Sequence, residues 1–430
     1  MKHETSSVLK VGCILLVLFF LFCAFTLLPL PVQAQTVTAT VHVGSAPYRV
    51  AITPNGAYAY VTNGYVTNGV SNTVSVINTA TNMVTDTITG FNYSFGVAVS
   101  PNGAYVYVTN YVIDGYVSVI STATNSITAT IPVGIEPTDV AVTPNDAYVY
   151  VANSESNSVS VINTLTNTVT ATITGAGLNE PRGVAITPNG EYAYVVNTGD
   201  SVSVINTTTN TITANVFVVD SLNGVAVSPD GAYVYVVNTD SDSVSVISTA
   251  TNTVTATITL GTSFPESLSP EFVAVTPNGE YLYVTTYSSS TVLVINTVTD
   301  TVTATITGFN TPWGVAVSPN GEYVYVTNFD GNTVSVISTS NTITSPTPTA
   351  TPSSVPTATP SSVPTATPTS VPTATPTSIS VSSALNSSLL LIALVVIAFL
   401  LAVIIFLLLY FKRRRPINSS QQTVSNGEGI

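Results

Sequence analysis

The chain has 430 residues, of which only 7% are charged, with a formal net charge of −13 and two cysteines. Both cysteines, Cys13 and Cys23, fall in an apolar leader, so the remainder can hold no disulfide, thiol nucleophile or thiolate metal site. Six of the eight basic residues lie in the terminal segments described below. That leaves Arg49 and Arg182 against nineteen acids (twenty-one less Glu4 and Glu428), or −17, for the central region. Such a surface repels nucleic acid, whose binding needs phosphate-neutralising Lys and Arg.

Residues 1–34 read as a secretory signal peptide. Lys2 and Lys10 precede an uncharged run from Val11 to Leu30, and Val32-Gln33-Ala34 is a small-residue cleavage pattern. An uncleaved anchor is the competing reading, because a run of that length can cross a bilayer. Against it, Pro29 and Pro31 would break such a helix just before the cut.

From residue 35 to 345 the chain is one unit repeated seven times. The proline of a Thr/Ser-Pro-Asn/Asp-Gly turn recurs at Pro54, Pro101, Pro144, Pro188, Pro229, Pro277 and Pro319, at spacings of 41 to 48 residues. Each unit holds four strand-like runs, in the fifth copy GVAVSPDG, AYVYVVN, DSVSVIST and NTVTATIT. The last alternates Val254, Ala256 and Ile258 with threonine, the two-residue period of a sheet with one drier face. The turn glycines supply the φ > 0 of a tight hairpin, and the third copy carries Asp146 there instead. Four antiparallel strands repeated seven times without linkers predict an all-β fold, a seven-bladed β-propeller, and disfavour an array of β-sandwiches. The seventh unit runs into prolines before completing its fourth strand, whereas Gln35 to Val43 (QTVTATVHV) matches that strand. The expectation is that the N-terminal segment closes the ring and covers the last blade's open edge.

Comparison of the copies sorts structural columns from free ones. Fourteen of the 21 tyrosines occupy two columns of the second strand, from Tyr58 and Tyr60 to Tyr323 and Tyr325, as amphipathic rings packing between blades with hydroxyls reaching polar partners. Two residues before the first-strand valine, by contrast, one column reads Tyr48, Phe95, Thr138, Arg182, Asn223, Glu271 and Trp313. No residue type repeats, so packing does not dictate the column. It is expected to ring the channel mouth as a ligand-binding face for sugars or basic protein segments, on a face that also carries most of the acids and the insertions 64–72 and 263–270. An ordinary variable loop face is the bland alternative.

Catalytic chemistry is sparse. Beyond the leader the one histidine is His42, in the expected closing strand, so no hydrolytic triad or haem or zinc ligand set assembles. No phosphate loop occurs, and no cofactor is expected. Asp240 and Asp242 are weak calcium candidates, alternating carboxylates without the rest of a calcium loop. Asn92, Asn206 and Asn386 are candidate N-glycosylation sites.

The repeats resemble the YVTN family of β-propellers, through Tyr60-Val61-Thr62-Asn63, Tyr107-Val108-Thr109-Asn110 and Tyr325-Val326-Thr327-Asn328 with the flanks VAVSPNG and TVSVISTATN. The sixth copy departs as Tyr283-Val284-Thr285-Thr286. The resemblance extends to surface-layer and surface-antigen propellers of methanogenic archaea and implies a cell-surface role.

Residues 346–388 are rich in Pro, Thr and Ser, with the octad TATPSSVP, and predict an extended stalk open to O-glycans, or a plain disordered spacer. Leu389 to Phe411 is a 23-residue uncharged run, long enough for a transmembrane helix. Lys412 to Arg415 follow, which holds the tail 412–430 in the cytoplasm and the propeller outside. The sequence therefore predicts a non-enzymatic adhesion, coat or recognition module on a single-pass anchor, with an envelope protein or glycan as partner. The alternative is an extracellular propeller enzyme, lactonase-like or a Ca²⁺-dependent hydrolase, since fold alone does not separate the two.

Overall fold

The computed structural model describes residues 35–64, 71–218, 221–261 and 267–339. The leader 1–34, most of the two insertions, the stalk, the expected membrane segment 389–411, the tail and Asn386 lie outside them. Among the described residues no helix is long and apolar enough to cross a membrane.

The described residues form twenty-eight strands, numbered β1 to β28 in chain order, in seven four-stranded antiparallel sheets. Blade one runs outward from the channel as β2 (Pro47–Ile52), β3 (Tyr58–Asn63), β4 (Thr73–Asn78) and β5 (Met83–Ile88). Blade seven is assembled from both ends of the ring: β26 (Pro312–Val317), β27 (Tyr323–Asn328) and β28 (Thr333–Ser338), with β1 (Val37–His42) as its outer strand. β1 pairs antiparallel with β28, setting Thr40 opposite Ser335 and His42 opposite Thr333. The expected closing strand is thus observed.

The core is a ring of seven interblade clusters. Tyr60, Val74, Val76 and Ile88 of blade one meet Val97, Val106 and Val108 of blade two. At the closure Val41, Tyr325 and Val334 meet Val50, Val61 and Ile77. Second and third strands are buried on both faces because each blade is covered by a neighbour on either side. Fourth strands form the rim and alternate exposed with half-buried positions, as Thr168–Ile173 does.

Repeated side chains rivet blade to blade. The inner tyrosines are buried, and the hydroxyls of Tyr60, Tyr150 and Tyr194 donate to the next blade: Tyr60 to Asn125 Oδ1 at 2.8 Å, Tyr150 to Asn210 Oδ1 at 2.6 Å and Tyr194 to Asn252 Oδ1 at 2.8 Å. Tyr283 has no such turn to reach, since blade seven takes its outer strand from the chain's beginning, and it donates to Gln35 Oε1 at 2.8 Å instead. Burial raises the Tyr60, Tyr194 and Tyr283 phenols to about 12, so they stay protonated donors. The motif threonine serves two blades: Thr62 Oγ1 accepts the Arg49 N–H at 3.1 Å and donates to the Phe95 carbonyl at 2.6 Å. The motif asparagine bonds the third strand, as Asn63 Nδ2 does to Ser75 Oγ at 3.0 Å. In blade six both partners change together: Thr286 stands for asparagine and Leu293 for serine, and Leu293 joins the apolar core.

The turn face explains the conserved tetrad. Thr53 Oγ1 donates to Asn55 Oδ1 at 2.7 Å and accepts the Tyr58 N–H at 3.0 Å, while Gly56 adopts φ +71. Each turn glycine abuts the preceding blade's proline, round to Gly56 against Pro319. Asp146 keeps the left-handed backbone at φ 59, and its Oδ1 accepts the N–H of Asn102 in the preceding blade at 3.2 Å.

Candidate functional site at the loop-face mouth of the channel

The diverse column sits in a β-bulge. In every blade the pairing of first and second strands slips just after its first residue, as between Pro47 and Val50 or between Pro312 and Val315. A bulge detaches the intervening side chains from the sheet's inward and outward alternation and re-aims them. The preceding residue is left-handed in all seven blades although none is glycine, from Ala46 at φ 49 to Thr311 at φ 50. Its carbonyl accepts an N–H from the loop after the second strand, for example Gly64 to Ala46 at 2.9 Å and Phe329 to Thr311 at 3.0 Å. Backbone strain of this kind persists only where surrounding bonds over-determine it.

Six of the seven column residues, Tyr48, Phe95, Thr138, Arg182, Asn223 and Trp313, line one cavity of about 190 Å³, together with Arg49, Tyr93, Tyr111 and Ser154. Glu271, the seventh, stands behind it as the acceptor of the Asn223 amide. The wall has two unlike halves. On the side of blades seven, one and two the rings interlock: Tyr48 lies 4.5 Å from Phe95, 5.7 Å from Trp313 and 5.1 Å from Phe329 between centroids. On the side of blades three to five the lining is Thr138, Ser154, Arg182 and Asn223. Thr138 is largely structural, since its hydroxyl is shared between the Ala152 and Pro181 carbonyls at 3.3 and 3.1 Å. It supplies the interblade bond that a motif threonine makes elsewhere, in the copy where that position is Ala152.

The column one residue further along, which the sequence reading passed over, fills the channel floor. It reads glycine at Gly96, Gly183, Gly224 and Gly314, where a Cβ would sit 2.4 to 2.7 Å from a neighbouring backbone oxygen. At the other three positions it reads Arg49, Asp139 and Phe272. These belong to blades one, three and six, yet the Arg49 guanidinium lies 3.6 Å from Asp139 and its Cζ 3.3 Å above the Phe272 ring, so they meet across the axis. Asp139 Oδ2 also accepts the Val184 N–H at 3.1 Å. Burial raises the Asp139 carboxyl and lowers the Arg49 guanidinium, each against the attraction of the other.

Glu271 is likewise pushed up to about 7 by burial, opposed by the Asn223 bond and by Arg182 and Arg49. Burial and the Tyr93 hydroxyl push the Tyr48 phenol far upward, and burial with the Glu136 bond pushes Tyr111 to about 12. Arg49 and Arg182, the two basic residues of the described chain, thus converge on one cavity. Arg182 is exposed, and among the described residues no carboxylate lies within 4.0 Å of its guanidinium.

Of the calcium candidates Asp240 and Asp242, the second is engaged in holding a loop. Asp242 Oδ1 accepts from Ser267 Oγ at 2.9 Å, Leu268 N at 2.9 Å and Ser269 N at 3.1 Å, anchoring the loop into blade six. Among the described residues no three of His, Cys, Asp and Glu gather for a metal. Asn92 is exposed, though Ser94 of its sequon is buried. Asn206 caps a turn, its Oδ1 accepting from Thr208 N and Thr209 N at 3.0 Å.

Two family models match parts of the chain: the seven-bladed β-propeller lactonase family over residues 225–363 and the cytochrome D1 heme domain over residues 61–261. Among solved structures, the hydrazine synthase of Kuenenia stuttgartiensis aligns with a TM-score of 0.62 at 24% identity, covering 69% of this chain and 97% of that one. At that identity the likeness is one of fold. No curated protein matches the chain. The class is accordingly a seven-bladed β-propeller, with lactonase-type and cytochrome D1-like propellers as its family likenesses.

A haem does not fit the described residues. The described histidine and methionine, His42 and Met83, lie on the outer strands β1 and β5, both exposed and remote from the channel. At the cavity, burial holds the Tyr48 and Tyr111 phenols protonated, which makes them poor axial ligands.

Proposed function

We propose that the protein is a recognition module displayed at the cell surface, with the loop-face cavity as its ligand site and no catalytic turnover. The observation that carries this reading is the pairing of an interlocked aromatic wall with a wall of polar groups that blade packing leaves unused. The Ser154 and Arg182 side chains and Asn223 Oδ1 have no hydrogen-bond partner among the described residues, and the Trp313 Nε1 is buried without one. A concave site combining apolar rings with a few convergent polar groups suits a small ligand or the end of a polymer. Surface display rests on the leader, stalk and apolar segment read from the sequence. It accords with the direction of β28, whose end leaves the ring at the turn face, opposite the cavity. A coat role and an envelope protein or glycan partner belong to the same reading.

A second reading, an extracellular enzyme, is supported by the lactonase-family match over 225–363 and by Glu271, whose carboxyl burial pushes up to about 7, a range that suits a general base. One experiment separates them. The intact protein is presented to arrays of envelope glycans and proteins and, in parallel, to lactone and ester panels with and without EDTA. Saturable binding abolished by Trp313→Ala, without turnover, is the expected result. Turnover of any panel substrate that Glu271→Gln abolishes would replace the recognition reading with the enzymatic one.

A further inference from the structure

We propose that the cavity takes a carboxylate-bearing sugar, a uronic acid residue of a glycan; this rests on the recognition reading above and names its ligand class. The first ground is the placement of charge. A chain region with two basic residues among nineteen acids brings both to one cavity. Arg49 has a structural task in its pair with Asp139 and its stack on Phe272. Arg182 makes no salt bridge among the described residues: it is exposed, aimed by a bulge at the channel mouth, and attracted to Glu271 only from beyond 4.0 Å.

The second ground is the opposite wall. Pyranose rings present a flat C–H face that lies on aromatic rings, and their hydroxyls need both donors and acceptors nearby. The cavity offers the half-buried rings of Phe95 and Trp313 for the ring face, backed by the buried Tyr48, and Ser154 Oγ and Asn223 Oδ1 for hydroxyls. A planar carboxylate then matches the fork of one guanidinium bidentately. The local charge balance favours a monoanion over a dianionic phosphate, because Asp139 already neutralises Arg49 and Glu136 stands beside Tyr111. It also disfavours a basic peptide, which would meet Arg182 on entry.

The test uses the intact protein, titrated calorimetrically with trigalacturonate, its methyl ester and trilysine. The acid is expected to bind at least about tenfold more tightly than the ester, the scale of a charge-assisted hydrogen bond. Arg182→Gln is expected to erase that difference while leaving the melting temperature unchanged, and Trp313→Ala to weaken both sugars. Equal binding of acid and ester, a preference that survives Arg182→Gln, trilysine as the better ligand, or no sugar binding would each overturn the proposal. If the ester binds as well as the acid and Trp313→Ala abolishes both, the recognition reading stands and the acidic ligand alone is lost. If no sugar binds and nothing on the glycan and protein arrays binds in a Trp313-dependent way, the recognition reading falls with it.

Discussion

The two mouths of the channel are built from the same seven units and obey opposite rules. At the turn face each Thr/Ser-Pro-Asn/Asp-Gly turn abuts its neighbour's proline, and the one departure, Asp146, replaces the lost glycine with a bond to the adjacent turn. At the loop face seven different side chains emerge from seven equivalent bulges. Their carboxyls diverge as well. Asp230 at the turn face is held below the ordinary range by the Ser228 hydroxyl and the Ala232 N–H, whereas Glu271 at the loop face is raised by burial. Sequence symmetry is enforced where a residue touches the next copy of itself and relaxed where a bulge frees it.

The largest test of this division removes the closure. Deleting residues 35–43 uncovers the β28 edge, strips Val41 from its cluster and takes Gln35 from Tyr283. A fall in melting temperature of about 10 °C or more is expected from calorimetry, corresponding to several kcal/mol in a domain of this size. An unchanged melt would show that the ring closes without β1.

Blade six offers a sharper probe. Leu293→Ser leaves a hydroxyl in an apolar cluster and removes buried volume, at a cost of about 2–4 kcal/mol by denaturant unfolding. Adding Thr286→Asn restores the partner found in other blades and should recover about 1 kcal/mol. Strict additivity in the double variant would refute the coupling.

At the turn face Gly321→Ala places a Cβ in the left-handed region, at φ +73 and 3.5 Å from Pro277, and is expected to cost about 1–2 kcal/mol. Asp146→Gly should be close to neutral, the relieved strain offsetting the lost bond to Asn102.

The loop face should answer to pH instead. Folded Glu271 keeps its proton to about pH 7, while the unfolded carboxyl releases it near the ordinary value, so between those limits the folded state binds more protons and stability falls as pH rises. Below the unfolded value and above about 7 the residue adds no slope. Glu271→Gln should flatten that part of the wild-type stability profile, and an unaltered slope would exclude the assignment. Arg182→Gln marks the lower end of the scale, with a change in stability within about 0.5 kcal/mol.

The repeat count, the four runs per unit, the inner tyrosine column and the closing strand were legible because each rests on local pattern repeated seven times, whereas the outer tyrosines, expected between blades, lie at the surface, as Tyr58, Tyr105, Tyr233 and Tyr323 do. The column from Tyr48 to Trp313 was legible as a break in that pattern, and the structure gathers six of its members at one cavity. Thr138 shows the limit of that signal: its identity answers the loss of threonine at Ala152, a packing need that mimics functional diversity. Arg49, Asp139 and Phe272 were not legible, since they meet across the axis from blades distant in sequence. Their trace was a column that is glycine in four copies and bulky in three.

The pairing of β1 with β28 also sets an order of events during synthesis. Thr38 donates to the Val336 carbonyl across 298 positions of chain, so the first strand made waits for almost the last. Until then β1 has no partner, and once β28 is made its outer edge stays uncovered until β1 docks. The added entropy of closing so long a loop is small, about 0.6 kcal/mol for each doubling of length. Closure is therefore governed by arrival of the seventh blade, and a chain cut short within that blade has no partner for β1. An uncovered β28 edge presents the same hydrogen-bonding groups to the β1 of a second copy, so exchange of this strand is the expected route to dimers at high concentration when folding is slowed.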